Sequence, residues 1–77
     1  PAGNWVVFTY DDRPGVLGRI AAGLAAAGVN IDDVRNPHDS KGRTSLAILK
    51  VNQTVDDALV ARIAAEIQAR VAFAIEL

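Results

Sequence analysis

The chain of 77 residues predicts an α+β domain with the element order βαββαβ. Three observations carry this expectation. Two segments repeat apolar residues at helical spacing. Four others are β-branched, aromatic or alternating, as strands are. Residues that start or stop helices stand at the borders between them.

Trp5 to Tyr10 is β-branched and aromatic and predicts the first strand. From Pro14 to Ala27, Leu17, Ile20 and Leu24 recur at helical spacing with Val16 beside them, and Gly28 stands where a helix-ending glycine belongs. Pro14 has the fixed φ favoured in a first helical turn. Val29 to Arg35 predicts a second strand, interrupted by Asp32 and Asp33. Asn36 to Gly42 is dense in turn formers and predicts an exposed connection. Thr44 to Val51 is apolar on both alternating sets at its middle, as a central strand would be.

Thr54 is the expected N-cap of a second helix, with Asp56 and Asp57 in its first turn favouring the dipole. Leu59, Val60, Ile63, Ala64 and Ile67 line one side of it, and Arg62 and Glu66 are spaced to pair on the wet side. In the last strand Val71, Phe73, Ile75 and Leu77 alternate with Ala72, Ala74 and Glu76. Two interleaved βαβ-type units of this kind give a ferredoxin-like fold: a four-stranded antiparallel sheet with both helices on one face. Ala47, Ala72 and Ala74 are expected on the exposed face of that sheet. Residues 1–77 form one domain, and without any Met they are expected to be a piece of a longer protein.

Composition narrows the function. With 51% hydrophobic and 22% charged residues the chain is globular. A formal net charge of −1 and scattered basic residues give no footprint for nucleic acid. There is no cysteine, so neither a disulfide scaffold nor a thiolate metal site is available. The longest apolar stretch, Ile20 to Val29, is too short to cross a bilayer, and no membrane partner is expected. The first helix offers Gly18, Ala22, Gly23, Ala25 and Ala26 on its side away from the core, with Arg19 its single charge. Small side chains there let a partner subunit approach closely, or they serve helix propensity alone.

Catalytic chemistry has no support. His38 is the sole histidine; beside Asp39 in a turn-rich segment, with no spaced second ligand, it reads as a solvated loop residue and not a metal site. Ser40, Thr44, Ser45 and Thr54 have no His or Lys base placed for them. Asp32 and Asp33 are adjacent on a strand and point to opposite faces. An RNA-binding sheet would need aromatics on its central strands, and Thr44–Leu49 has none. The informative stretch is Asp11 to Leu17. A polar loop there meets a helix start whose free N–H groups and positive dipole end suit a carboxylate-bearing small molecule. Gly15 leaves room for a close approach. The same tripeptide Arg13-Pro14-Gly15 is equally a plain turn from strand to helix.

Asp12-Arg13-Pro14-Gly15-Val16-Leu17, the helix through Ile20 and Leu24, and Gly28-Val29-Asn30-Ile31 resemble the signature of ACT domains, the amino-acid-sensing modules of metabolic enzymes. The run Ser45 to Gln53 and the ending Ala72 to Leu77 are similar to members that form the C-terminal regulatory domain of the first enzyme of serine synthesis. The resemblance covers essentially the whole chain. It implies a regulatory unit without catalytic activity or cofactor, within a cytoplasmic enzyme. It also implies a homodimer joined through first helices and second strands, with an effector amino acid at the seam and L-serine as first expectation.

The effector residues so implied are Tyr10, Asp12, Gly15, Val16, Leu17, Asn30 and Ile31. In serine-binding members a His and an Asn align with Tyr10 and Asp12, and a second Asn aligns with Asn30; only Asn30 is kept. Asp12 would repel an effector's carboxylate and attract its ammonium group. The alternative is an oligomerisation domain that has lost its ligand.

Overall fold

The computed structural model describes residues 2–39 and 41–77; Ser40, weighed above as a nucleophile, lies outside them. Five strands and two helices follow in the order β1 (Asn4–Asp11), α1 (Val16–Ala26), β2 (Ile31–Arg35), β3 (His38–Asp39), β4 (Thr44–Val51), α2 (Asp57–Ile67) and β5 (Val71–Glu76). The sheet runs β2-β4-β1-β5 with every pairing antiparallel, and β3 also pairs with β4. This is the predicted architecture with one strand interrupted.

The interruption has a local cause. Arg35 pairs with Ile48 and His38 with Ser45, so β2 and β3 keep one register along β4. Between them, Leu46 N–H donates to Pro37 O at 3.1 Å, but Pro37 has no N–H to return. The Asn36 side-chain amide supplies it, donating to Leu46 O at 2.9 Å. The segment expected to be an exposed connection therefore carries the strand on to Asp39.

Val6, Phe8 and Tyr10 of β1 and Ala47, Leu49 and Val51 of β4 point to the helix side, where Val16, Ile20 and Leu24 of α1 and Leu59, Val60, Ile63 and Ile67 of α2 complete one core. α1 stops at a Schellman motif. Gly28 has φ +79, its N–H donates to Ala25 O, and Val29 N–H donates to Leu24 O.

α1 begins later than predicted. Pro14 lies in the turn before it, and Gly15 is the N-cap with φ +88, a conformation that costs other L-residues about 1–2 kcal/mol. A Cβ there would meet nothing within 4 Å, so torsion, not space, calls for glycine. Gly23, expected on the free side of α1, faces α2 instead: an added Cβ would lie 2.8 Å from Ile63 Cγ1. Gly18, Ala22, Ala25 and Ala26 do remain exposed.

α2 is capped by Asp56, whose carboxylate accepts from Leu59 N–H at 2.8 Å, and not by Thr54. Val55 before the cap and Val60 four residues after it are both buried in the core, the hydrophobic staple that fixes this start. Arg62 and Glu66 form no ion pair among the described residues.

The faces of the sheet differ from expectation at its edge. Ala47, Ala72 and Ala74 belong to the core side. Val71, Phe73, Ile75 and Leu77 are exposed on the opposite face. Cross-strand register sets Ile75, Trp5 and Lys50 in one row, Phe73, Val7 and Ile48 in the next, and Val71, Thr9 and Leu46 in a third. Lys50 Nζ lies 5.7 Å from the Trp5 ring centroid, a cation–π distance.

Candidate functional site

The polar end of the molecule lies where β1 finishes, β4 begins and α1 starts. Tyr10 pairs with Ser45 across β1 and β4, so both project to the helix side, with Asn36 and His38 beside them on the β2–β3 strand. Tyr10 is 2% exposed, and its hydroxyl accepts from Asn36 Nδ2 at 2.9 Å. Asn36 thus divides its two amide hydrogens between Leu46 O and the Tyr10 hydroxyl.

Ser45 is fully buried, with its Oγ 2.7 Å from His38 Nδ1. The same Nδ1 lies 3.6 Å from Asp12 Oδ1. Because Nδ1 faces both groups, the ring cannot take a proton from Ser45 at one nitrogen while Asp12 holds the other, as a nucleophilic triad requires. Among the described residues no three His, Cys, Asp or Glu side chains converge as metal ligands would. An open cleft of about 420 Å³ is lined by Pro37, His38, Asp39, Thr44, Ser45 and Leu46. Its size lies in the range of small-molecule sites.

The loop from Asp12 to Gly15 is tied down on its other side. Asp12 N–H donates to Arg43 O at 2.8 Å. Arg13 donates from Nη1 to Asp11 O at 3.0 Å and from Nη2 to Ile67 O at 2.6 Å. A guanidinium on the last carbonyl of α2 satisfies an orphan acceptor and the negative helix end together. No side chain caps α1, so its first N–H groups are left to solvent or a guest. Val16 is buried, and Leu17 is half-buried against the core; only their backbone could serve an effector.

Asp11 forms an exposed ion pair with Arg70, Nε to Oδ1 at 2.8 Å. The hydrogen bond from Arg70, then its charge, holds the Asp11 carboxyl below the usual carboxylate range.

Asn30 and Ile31 lie at the other end. Asn30 is exposed, exchanging main-chain contacts with Asn52: its N–H donates to Asn52 Oδ1 at 2.9 Å and its carbonyl accepts from Asn52 N–H at 3.0 Å. Its side-chain amide donates to Asp32 Oδ1 at 3.1 Å. α1, 11 residues and so about 16 Å long at 1.5 Å per residue, separates Asn30 from Gly15. One protomer therefore gathers Tyr10, Asp12, Gly15, Val16 and Leu17 at one end and leaves Asn30 and Ile31 at the other. The sequence reading placed Asn36 in a connection and set His38 and Ser45 aside as unsupported; the structure brings all three together beside Tyr10. The alternation of Ser45 with Leu46 and Ala47 was visible, but not the strand that would face it.

These features coincide with a known kind of domain. The profile of the family described as ACT domain matches residues 5–68, and the chain belongs to that family, whose members are regulatory rather than catalytic units. The chain is 38% identical over 64 residues to D-3-phosphoglycerate dehydrogenase of Mycobacterium tuberculosis (strain ATCC 25618 / H37Rv), a match over 83% of this chain and 12% of that protein. The chain thus spans about an eighth of the length of the curated relatives it matches. An ACT domain protein from Streptococcus pneumoniae superposes with a TM-score of 0.74 at 13% identity, over 95% of this chain and 86% of that one. A formyltetrahydrofolate deformylase from Pseudomonas syringae pv. tomato superposes with a TM-score of 0.79 at 15% identity, over 95% of this chain and 26% of that one. At such identities the likeness is one of fold.

Proposed function

We propose that this chain is the amino-acid-sensing domain of a phosphoglycerate dehydrogenase and that its effector site is completed only when two copies pair through α1 and β2. The observation that carries the reading is the separation of Asn30 from the Asp12–Gly15 loop along the length of α1. β2 is an edge strand with unpaired backbone groups. A two-fold axis that joins two such edges antiparallel sets the start of one β2 beside the end of the other. The Asn30 of each copy then reaches the loop of its mate. The exposed small residues Gly18, Ala22, Ala25 and Ala26 allow the two first helices to close over that seam.

In this arrangement the effector's carboxylate meets the N–H groups of Gly15, Val16 and Leu17. Asp12 takes the ammonium group, Asn30 hydrogen-bonds from across the seam, and Tyr10 braces the floor through Asn36. A ligand that bridges two copies binds the paired form preferentially and so shifts the equilibrium toward it. That shift is what a distant active site in the cytoplasmic parent enzyme would register. L-serine, end product of the relatives' pathway by the resemblance stated above, is the first effector to try.

Calorimetric titration with a panel of L-amino acids, paired with sedimentation with and without each, tests this. Binding that raises the paired fraction and is lost in Asn30→Ala supports it. Pairing indifferent to every amino acid would establish the oligomerisation-only alternative.

A further inference from the structure

The two edges of the sheet are not alike. β2 carries Asp32, Asp33 and Arg35 and a register shift between Ile31 and Asp33, the charges and irregularity that keep an edge strand from pairing at random. β5 is the opposite edge. It pairs with β1 in one unbroken register, and Val71 to Ile75 hold neither charge nor proline. Gly3 and Leu77 exchange both main-chain hydrogen bonds, and the register carries that parity to Trp5–Ile75, Val7–Phe73 and Thr9–Val71. Those residues of β5 spend their backbone groups on β1, so the N–H and carbonyl groups of Ala72 and Ala74 point out of the sheet. On the helix side an open groove of about 370 Å³ runs between α2 and this edge, with Ala61, Ala64, Ala69 and Ala72 in its lining. Another strand can approach there without meeting a large side chain.

Val71-Ala72-Phe73-Ala74-Ile75 is also nearly the same read in either direction. Two copies set antiparallel about a two-fold axis at Phe73 place Ala72 against Ala74 of the mate, so the outward backbone groups meet each other. Val71 then lies against Ile75 on the outer face, and the two Phe73 rings meet at the axis, an aromatic cross-strand pair. The same register sets Arg70 opposite Glu76 of the mate at both ends. Glu76 forms no ion pair among the described residues. Arg70 engages Asp11 through Nε, and its terminal amino groups are the ones a second carboxylate would meet.

We propose that β5 is a self-pairing edge, by which two copies of this chain join antiparallel about Phe73 with Arg70 and Glu76 matched across the seam. The inference goes beyond the effector reading and does not depend on it, because the α1–β2 seam lies at the opposite edge. A chain that pairs at both edges links its dimers into a longer sheet.

The 77-residue chain has no cysteine, so a single introduced thiol reports where two copies touch. At the axis the two Phe73 positions form a non-hydrogen-bonded pair with Cα atoms about 4.5 Å apart, within disulfide reach. Each Val71 position lies about 14 Å from its counterpart in the mate. On mild oxidation Phe73→Cys is expected to cross-link at least about tenfold faster than Val71→Cys, although Val71 is the more exposed, 52% against 44%. An equimolar mixture of Val71→Cys and Ile75→Cys chains links within about twofold of the Phe73→Cys rate. In the Phe73→Cys background, Glu76→Arg sets like charges opposite each other at both ends and slows linking by about tenfold. Ala74→Pro removes an N–H that faces out of the sheet, which the single chain tolerates at an edge, and it brings the rate down to that of Val71→Cys. Amide spectra of each variant check for an intact fold.

Equal rates for Phe73→Cys and Val71→Cys overturn the inference, as does a Phe73→Cys rate that ignores both Glu76→Arg and Ala74→Pro. Either result leaves the effector reading standing where amino-acid binding is lost in Asn30→Ala. Register-specific linking at β5 in a chain that binds no amino acid of the panel upholds the inference and overturns that reading.

Discussion

Asn36 donates its side-chain amide to the carbonyl of Leu46 at 2.9 Å, in the place where the ring of Pro37 leaves the ladder one hydrogen short. The strand that contributes His38 depends on this substitution. Asn36→Ala removes partners from both Leu46 O and the Tyr10 hydroxyl, and a cost of about 1–3 kcal/mol is expected. Urea unfolding measures it. Hydrogen exchange at Leu46, whose N–H donates to Pro37 O, should quicken more than exchange in the middle of β1, whereas Pro37→Ala, which returns an N–H, should leave stability nearly unchanged.

Two glycines of α1 separate packing within the chain from packing between chains. Gly23→Ala forces a Cβ to 2.8 Å from Ile63 Cγ1, and overpacking of this kind costs about 1–3 kcal/mol. Gly18 meets nothing within 4 Å, so Gly18→Ala should stabilise the single chain by up to about 1 kcal/mol through helix propensity. If α1 closes the seam between copies, Gly18→Leu should weaken pairing in sedimentation while leaving the melting temperature of dilute samples unharmed.

The outward set of side chains on β5 gives a contrast in cost. Phe8 is fully buried and Phe73 is 44% exposed. Phe8→Ala is expected to cost about 3–5 kcal/mol. Phe73→Ser should cost clearly less, and it should lower binding of a hydrophobic dye, because it removes part of an exposed apolar face. Equal costs by chemical denaturation would place Phe73 in the core after all.

Acid affects one ion pair in a defined direction. Arg70 lowers the folded-state pKa of Asp11, so the pair's contribution is present above the unfolded carboxyl value and is lost as pH falls through the lowered folded value. Arg70→Gln should raise the Asp11 titration midpoint, read from its carboxyl carbon by NMR. The stability difference between wild type and Arg70→Gln should be small, shrink with salt and vanish once Asp11 is protonated in both states.

How much of this was legible varies by residue. The strand Thr44–Val51 and the stop at Gly28 could be read outright, because an alternating apolar run and a helix-ending glycine have few other uses. The start of α2 was misplaced by two residues: Thr54 and Asp56 are both good caps, and only burial of Val55 against the core chooses between them. Alternation in β5 revealed two faces but not which was inner. The inner one is alanine because α2 packs closely over that edge. His38 read as a loop residue, since the continuity that carries it past Pro37 resides in the side chain of Asn36, which no periodicity reveals. Of the proposed effector residues, the loop set was named from its motif, and the helix expected from Pro14 to Ala27 already set Asn30 a helix length away, as the structure has it.

Arg13 extends the reach of that loop. Its guanidinium grips the final carbonyl of α2, and the residues just beyond, Gln68 to Arg70, lead straight into β5. The turn ahead of the first helix and the tail of the second are thus harnessed as one piece. A shift of the turn that keeps this one bond must carry the end of α2 with it, beside the strand at the far margin of the sheet.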